Sequence, residues 1–280
     1  MNKQATQMVS ELAPRIEHAL LEHLPISKLA GARVLNQAVR YSVFSGGKRM
    51  RPVLTVIAAK LTGLSRDDSL KIAAALEYLH TASLILDDLP CMDDTTERRG
   101  KVSTHIQFGE GVAVLAAMSL LNQTYALLAD LPNGQALVRL ACECIGHLGM
   151  VAGQTIDLVA NAGSRADQRE EHYLKTTALF RLALVAPSVA AGSPPEVVEA
   201  LSGFGHCAGM GYQLVDDAHD LEDDRAWEGL SASQMHERAA DWIKRAKAHV
   251  TDGFSDTRET GFLVSFADWL LAGAQTPAAK

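Results

Sequence analysis

The sequence predicts an all-α fold, a single large helical bundle around a central cavity. Three observations carry this. Ala and Leu dominate, and the β-branched alternation that marks strands is scarce. Apolar residues recur three and four apart over long stretches. No stretch rich in Gly, Ser or Pro divides the chain, and no repeat of fixed period is present, so residues 1–280 read as one domain.

The elements follow in order. Met8–Leu24 and Leu29–Phe44 have the spacing of amphipathic helices, the second closed by Gly46-Gly47. Pro52–Leu61 opens with proline at a plausible first helical position. Asp67-Asp68 begin the next helix, which runs through Ala73-Ala74-Ala75 towards Leu86. Further helices are expected over Val112–Leu128, Gly134–Asn161, Gln168–Ala191, Pro195–Leu221 and Ser233–His249, and a last one near Gly261–Leu271. Breaks fall at Leu131–Gly134 and Gly192–Pro195.

Composition excludes several classes. With 48% hydrophobic and 21% charged residues the chain has ample material for a core and is not disordered. A net charge of −7 argues against a nucleic-acid binder, which should carry a basic face. Four cysteines in 280 residues make no disulfide framework, so reduced thiols in the cytoplasm are the simple expectation. The N-terminus lacks the apolar core of a signal peptide. No membrane span is expected: Val112–Leu121 and Leu182–Ala191 are too short, and Pro187 interrupts the second.

The chemistry concentrates in two acidic clusters, Asp87-Asp88 with Asp93-Asp94, and Asp216-Asp217 with Asp220. Each follows an apolar helical run. Like charges at helical spacing repel, and carboxylates beside an apolar face are costly to desolvate, so such clusters call for cations. Two of them facing one cavity suit Mg²⁺, which takes a few carboxylates plus phosphate oxygens and water. Gly46–Pro52 sets Lys48, Arg49 and Arg51 beside a glycine pair and a helix start, a sensible phosphate cradle. Arg98-Arg99-Gly100-Lys101 follows the first cluster, and Gln213 shares a helix face with Asp216.

Other features have plainer readings. Cys142, Cys144 and His147 hint at zinc but lack a fourth ligand and the usual spacing, so core thiols fit better. Gly205–Gly211 reads as close helix packing, since no cation follows, and His219 as a side chain at the pocket edge. His80 and Lys175 taken alone would pass for a core histidine and a surface lysine.

In order along the chain, GGKRMRP, HTASLILDDLPCMDDTTERRGK, LKTTALF and GYQLVDDAHD resemble the motifs of the trans-isoprenyl diphosphate synthases (polyprenyl synthetases). The likeness is closest to bacterial geranylgeranyl and farnesyl diphosphate synthases, and runs from about Leu29 to about Leu221. It implies an isoprenoid-synthase-type bundle, an Mg²⁺-dependent prenyltransferase and a homodimer. The substrates it implies are isopentenyl diphosphate and an allylic diphosphate, the latter held by three Mg²⁺ ions. On this resemblance Asp87, Asp88 and Asp93 match the first metal motif, and Asp216, supported by Asp217 and Asp220, the second. Lys48, Arg51, His80 and Arg99 match the isopentenyl diphosphate site. Arg98, Lys175 and Gln213 match contacts to the allylic diphosphate, and Thr176 lines that pocket. Asp87, Asp88, Lys175 and Asp216 are the catalytic set. Ala82 and Ser83, both small, stand where bulk limits product length, which favours geranylgeranyl over farnesyl diphosphate.

The chain departs from the family after Asp220. A Gly-Lys-Asp loop usually follows there, whereas this chain reads Leu-Glu-Asp-Asp-Arg-Ala-Trp-Glu-Gly229, shortened and without lysine as far as Ile243. Arg225 is the nearest substitute cation, and Glu222, Asp223 and Asp224 add negative charge. Two alternatives stay open on that account. One is a terpene synthase-like enzyme that ionises a diphosphate, and the other a non-catalytic subunit that modulates an active synthase.

Overall fold

A computed structural model describes residues 1–160, 174–220 and 231–273, and these are almost entirely helical. The elements are α1 (Lys3–Glu22), α2 (Arg33–Val43), α3 (Met50–Leu61), α4 (Arg66–Asp87), β1 (Glu97–Arg98), β2 (Lys101–Val102), α5 (Thr104–Phe108), α6 (Glu110–Ala129), α7 (Gly134–Ile145), α8 (Met150–Ala160), α9 (Leu174–Ala190), α10 (Pro195–Asp220), α11 (Ala232–Gly253) and α12 (Arg258–Leu271). A 3₁₀ turn at Ala30–Ala32 leads into α2.

Capping explains several boundaries. The Asn2 side chain accepts from Ala5 N, starting α1 before the expected Met8. The Ser65 hydroxyl accepts from Asp68 N and sets Asp67 and Asp68 in the first turn of α4. Ser231 and Thr257 form capping boxes for α11 and α12.

One buried apolar cluster runs through the bundle from Ala5 in α1 to Leu270 in α12. At its centre α4 packs against α3 and α6. Ala73, Ala74, Ala75 and Ala82 on α4, and Ala113, Ala116 and Ala117 on α6, are fully buried, and such small side chains let helix axes approach closely. The buried Tyr78 donates to Leu20 O at 2.6 Å and ties α4 to α1. The packing leaves the C-terminal end of α4, the start of α9 and the C-terminal part of α10 around a common cavity.

The structure departs from or adds to the sequence reading at three places. The helix expected over Gly134–Asn161 is two, α7 and α8, because Gly146 and Gly149 sit where a Cβ would collide with the carbonyls of Cys142 and Cys144. The stretch after the first acidic cluster, to which the sequence assigns no element, is structured. It holds the hairpin β1–β2, whose turn residues Arg99 (φ 56°) and Gly100 (φ 75°) both take positive φ, as a two-residue hairpin turn requires. Two stretches, Glu110–Ala129 and Gly134–Leu158, are long and apolar enough to cross a membrane by length and composition, contrary to the sequence expectation. The first does not stop at Leu121 but continues through Asn122 and Gln123, and it packs its alanine face on α4. The second is broken between α7 and α8.

Candidate active site

Two cavities meet at the heart of the bundle. The first, about 540 Å³, has a charged mouth formed by Asp87 and Asp93, Arg98, Lys175 and Asp216. Each residue is aimed by its own element. Asp87 ends α4, and Asp93 N donates to Asp87 O at 2.9 Å, so the loop after α4 curls back and brings the two carboxylates to one rim. Lys175 opens α9, and its Nζ stands 3.3 Å from Asp87 Oδ2. Burial pushes the Asp87 carboxyl above its ordinary value, opposed by Lys175 and reinforced by Asp93. Asp216 reaches the mouth from α10.

Deeper in the same cavity lie Ser83 on α4, Leu179 on α9, Tyr212 on α10 and Met150 on α8. A helix rises about 1.5 Å per residue, so Ser83 and Leu179 lie about 6 Å inward of Asp87 and Lys175. Leu84, Met150 and Leu179 add apolar surface to a lining that is otherwise largely polar and charged.

The second cavity, about 930 Å³, is cationic on one side, with Lys48, Arg49, Arg51 and Arg99, and apolar on the other, with Phe180, Phe266, Trp269 and Leu270. Arg51, His80, Arg99 and Tyr212 line both cavities. His80 Nε2 stands 3.1 Å from Arg51 Nη1 and 3.3 Å from Arg99 Nη2. Two guanidinium donors aimed at one ring nitrogen require a neutral imidazole with its proton on Nδ1. Burial first, and then the surrounding arginines, hold His80 well below its ordinary value. Arg99 Nη1 also donates to Gly46 O at 2.7 Å, and its guanidinium occupies the space a Cβ on Gly47 would need. Gly47, at φ 124°, is thus fixed as glycine by its conformation, and a side chain there would also displace the Arg99 guanidinium. Lys48 Nζ lies 5.2 Å from the centre of the Trp269 ring.

The structure brings Asp87, Asp93 and Asp216 together with Arg98, Lys175, Thr176 and Gln213 in the first cavity, and Lys48, Arg51, His80 and Arg99 in the second. Asp88 stands elsewhere. It is 3% exposed, and its Oδ1 accepts from Arg98 Nε at 2.9 Å and Nη2 at 2.5 Å. It lines a small separate cavity behind the hairpin with Ser42, Thr81 and Thr104. Asp217 Oδ1 accepts from Gln213 Nε2 at 2.9 Å, while Thr176 Oγ1 donates to Gln213 Oε1 at 2.7 Å, so Asp217 orients an amide that joins α9 to α10. Ser83 lines the first cavity, whereas Ala82 is fully buried and is not among its lining residues. The Asp220 side chain and the segment holding Glu222, Asp223, Asp224 and Arg225 lie outside the described residues.

Sequence reasoning missed Met150 and Asp157 on α8, which line the first cavity, and Gln154 beside them, whose Nε2 lies 3.9 Å from Met92 Sδ. Gly153-Gln154-x-x-Asp157, two polar residues three apart in an apolar helix, was the available signal. It also missed Glu77 in the second cavity.

The donor set can be tested for a metal. Three carboxylates on one rim are hard oxygen donors, yet among the described residues no three His, Cys, Asp or Glu cluster closely enough to cage an ion. That combination fits Mg²⁺, which completes its shell with phosphate oxygens and water, and does not fit a structural zinc.

The polyprenyl synthetase family model matches residues 32–239. A chloroplastic geranylgeranyl pyrophosphate synthase of Arabidopsis thaliana is 38% identical over 212 residues, covering 71% of this chain and 59% of its own length. The chain thus spans about three fifths of that relative, and 63% of a mitochondrial counterpart from the same plant. A farnesyl diphosphate synthase of Bacillus subtilis is 36% identical over 231 residues, 79% of this chain and 77% of its own. The crystal structure of an FPP/GFPP synthase from Zymomonas mobilis superposes with a TM-score of 0.87 at 29% identity, covering 97% of this chain and all of that one.

Proposed function

The chain belongs to the polyprenyl synthetase family, and from that premise we propose that it condenses isopentenyl diphosphate with an allylic diphosphate to a short-chain prenyl diphosphate. The observation that carries this is the pair of cavities with a shared wall of Arg51, His80, Arg99 and Tyr212. An enzyme that only ionises one diphosphate needs one anion site. Two sites side by side suit a reaction that joins two diphosphates.

On this reading the allylic diphosphate lies at the mouth of the first cavity, its phosphates facing Arg98 and Lys175, with Gln213 and Thr176 alongside. Asp87, Asp93 and Asp216, with Asp220, would hold Mg²⁺, three ions in the fullest arrangement. When bound, the metal neutralises charge on the departing diphosphate. Lys175 and Arg98 stabilise the same charge from the protein side as the allylic carbon–oxygen bond breaks. The second cavity orients isopentenyl diphosphate so that its double bond meets the allylic cation, and the new carbon–carbon bond forms. A proton is then lost from the isopentenyl unit to an oxygen of the released diphosphate. Asp88 contributes by holding Arg98, and Asp217 by holding Gln213. The apolar side chains of Leu84, Met150 and Leu179 in the first cavity help keep water from the cation.

Ser83, small and in the wall of the first cavity about one turn from Asp87, supports a twenty-carbon, geranylgeranyl product. A homodimer is supported by large apolar side chains exposed on α5, α6 and α8: Ile106, Leu115, Met118, Val151 and Leu158. Four free thiols, two of them exposed, agree with a reducing compartment such as the cytoplasm. We read residues 1–280 as one catalytic domain.

The test is direct. The purified protein is incubated with Mg²⁺ and farnesyl diphosphate, with and without isopentenyl diphosphate, and the products are analysed. Elongation that needs both substrates and stops on chelation supports the reading. A hydrocarbon or alcohol formed without isopentenyl diphosphate assigns a terpene synthase-like activity instead. No turnover, with tight binding to an active synthase, assigns a modulating subunit.

A further inference from the structure

The cationic cavity contains a carboxylate that the proposed chemistry does not use. Glu77 on α4 is 2% exposed and is the one acidic residue among the described side chains lining that cavity. A negative charge in the wall of a diphosphate site weakens anion binding by repulsion. Its presence therefore needs a compensating task.

The hydrogen bonds supply one. Glu77 Oε1 accepts from Arg49 Nη1 at 2.5 Å. Arg49 Nε donates to Glu17 Oε1 on α1 at 2.7 Å, and Arg49 Nη2 to Val43 O at the end of α2 at 2.7 Å. One guanidinium thus ties α1, α2 and α4 to the residue that caps the start of α3. Arg49 sits at φ 49° and ψ 31°, a left-handed conformation that costs a non-glycine residue about 1 kcal/mol or more. That turn sends Arg49 towards Glu77, while Lys48 and Arg51 take other directions. Lys48 is exposed beside Trp269, and Arg51 reaches His80. Glu77 also acts electrostatically on Arg51 and Arg99, in each case favouring the charged guanidinium against burial.

We infer that Glu77 is the positioning residue of the cationic cavity: through Arg49 it sets the backbone turn from which Lys48 and Arg51 reach a diphosphate, and it holds three guanidinium groups together against their mutual repulsion. The inference rests on the reading of that cavity as the isopentenyl diphosphate site.

Positioning and simple charge predict opposite outcomes for Glu77→Gln. If the carboxylate merely repels anions, its removal tightens diphosphate binding. If it positions the turn, removal loosens binding although the wall becomes more positive. The experiment titrates inorganic diphosphate by calorimetry without Mg²⁺, which suppresses binding at the carboxylate rim, and measures KM for both substrates with Mg²⁺. Glu77→Gln is expected to raise the Kd for inorganic diphosphate and the KM for isopentenyl diphosphate by roughly ten- to a hundred-fold. The KM for the allylic substrate should change by about twofold or less.

A second variant, Arg49→Met with Glu77→Leu, removes the pair together and should restore the melting temperature, because an apolar pair replaces a buried ion pair at little cost. Its KM for isopentenyl diphosphate should stay high. Unchanged or tighter diphosphate binding by Glu77→Gln overturns the inference, as does recovery of KM along with stability in the double variant. A wild-type protein that binds inorganic diphosphate in a Glu77-dependent way but makes no elongated product upholds the positioning role and refutes the condensation reading.

Discussion

Replacing Asp88 with asparagine separates two roles for the second carboxylate of the first acidic cluster. The family resemblance implies a metal ligand, whereas the geometry gives a partner of Arg98. Oδ1 lies 2.9 Å from Arg98 Nε and 2.5 Å from Nη2, with the Asp88 side chain 4% exposed and that of Arg98 35%. At an effective dielectric of about 20, unit charges at this separation attract by about 6 kcal/mol. Desolvation of the carboxylate offsets much of that, which leaves a net coupling of about 1.5–3 kcal/mol. If Arg98 must stand where Asp88 holds it, kcat/KM for the allylic substrate falls by roughly ten- to a hundred-fold. The assay is a cycle of wild type, Asp88→Asn, Arg98→Met and the double variant, each followed across Mg²⁺ concentration. The expected result is a similar loss in each single variant, no further loss in the double, and half-saturating Mg²⁺ within about twofold of wild type. A metal ligand behaves otherwise. The reasoning is refuted if Asp88→Asn raises half-saturating Mg²⁺ by about tenfold or more, Arg98→Met does not, and the losses multiply.

Three further expectations follow from the same geometry. His80 is neutral in the fold with its pKa held well below 6.5, so only the unfolded chain takes up its proton as the solution acidifies. The stability it contributes is complete above pH 6.5 and is lost progressively as the pH falls below it. Urea unfolding of His80→Gln should show a shallower decline over that range, and an equal slope counts against the neutral assignment. Ser83→Phe should shorten the prenyl product with little change in melting temperature, whereas Ala82→Tyr adds an aromatic at a fully buried position and costs about 1–3 kcal/mol of overpacking; an unchanged product profile in Ser83→Phe moves the chain-length limit elsewhere. If the proposed homodimer forms through α6, Leu115→Glu with Met118→Glu should convert it to a monomer in sedimentation; a dimer that survives both charges places the interface off α6, and a wild-type monomer refutes the dimer.

Helices were legible because each buries one face, so their apolar residues repeat with the helical period. Elements without such a face were not. The strands β1 and β2 are two residues each, too short for any period, and α5 is five. The break between α7 and α8 was hidden because Cys144, Ile145, Leu148 and Met150 continue an apolar run across it. The acidic rim was legible since clustered carboxylates are conspicuous wherever they fall. What each carboxylate does was not. Asp87 and Asp88 are adjacent, but neighbouring helical positions point about 100° apart. One therefore faces the cavity and the other the hairpin, and only the position of Arg98, set by the turn at Arg99-Gly100, decides the second. Glu77 was illegible for a related reason. Its role depends on Arg49 crossing from α3, and nothing in the local pattern of an apolar helix distinguishes a buried glutamate that organises a site from one that is merely tolerated.

The shared wall shows what such crossings decide. Arg51 comes from α3, His80 from α4, Arg99 from the hairpin turn and Tyr212 from α10. In the sequence, His80 alone passes for a core histidine, and only the family resemblance places it beside isopentenyl diphosphate. Between two guanidinium donors it can only accept, and an imidazolium there would add a third positive charge within 3.1–3.3 Å of the other two. The wall's positive charge therefore resides on Arg51 and Arg99, and His80 spaces them. A residue that spaces two arginines serves both cavities at once, since any displacement of its ring moves the donors that face each diphosphate. On this argument a change at His80 disturbs the two proposed diphosphate sites together, and a change at Glu77, acting first through Arg49, disturbs chiefly the second.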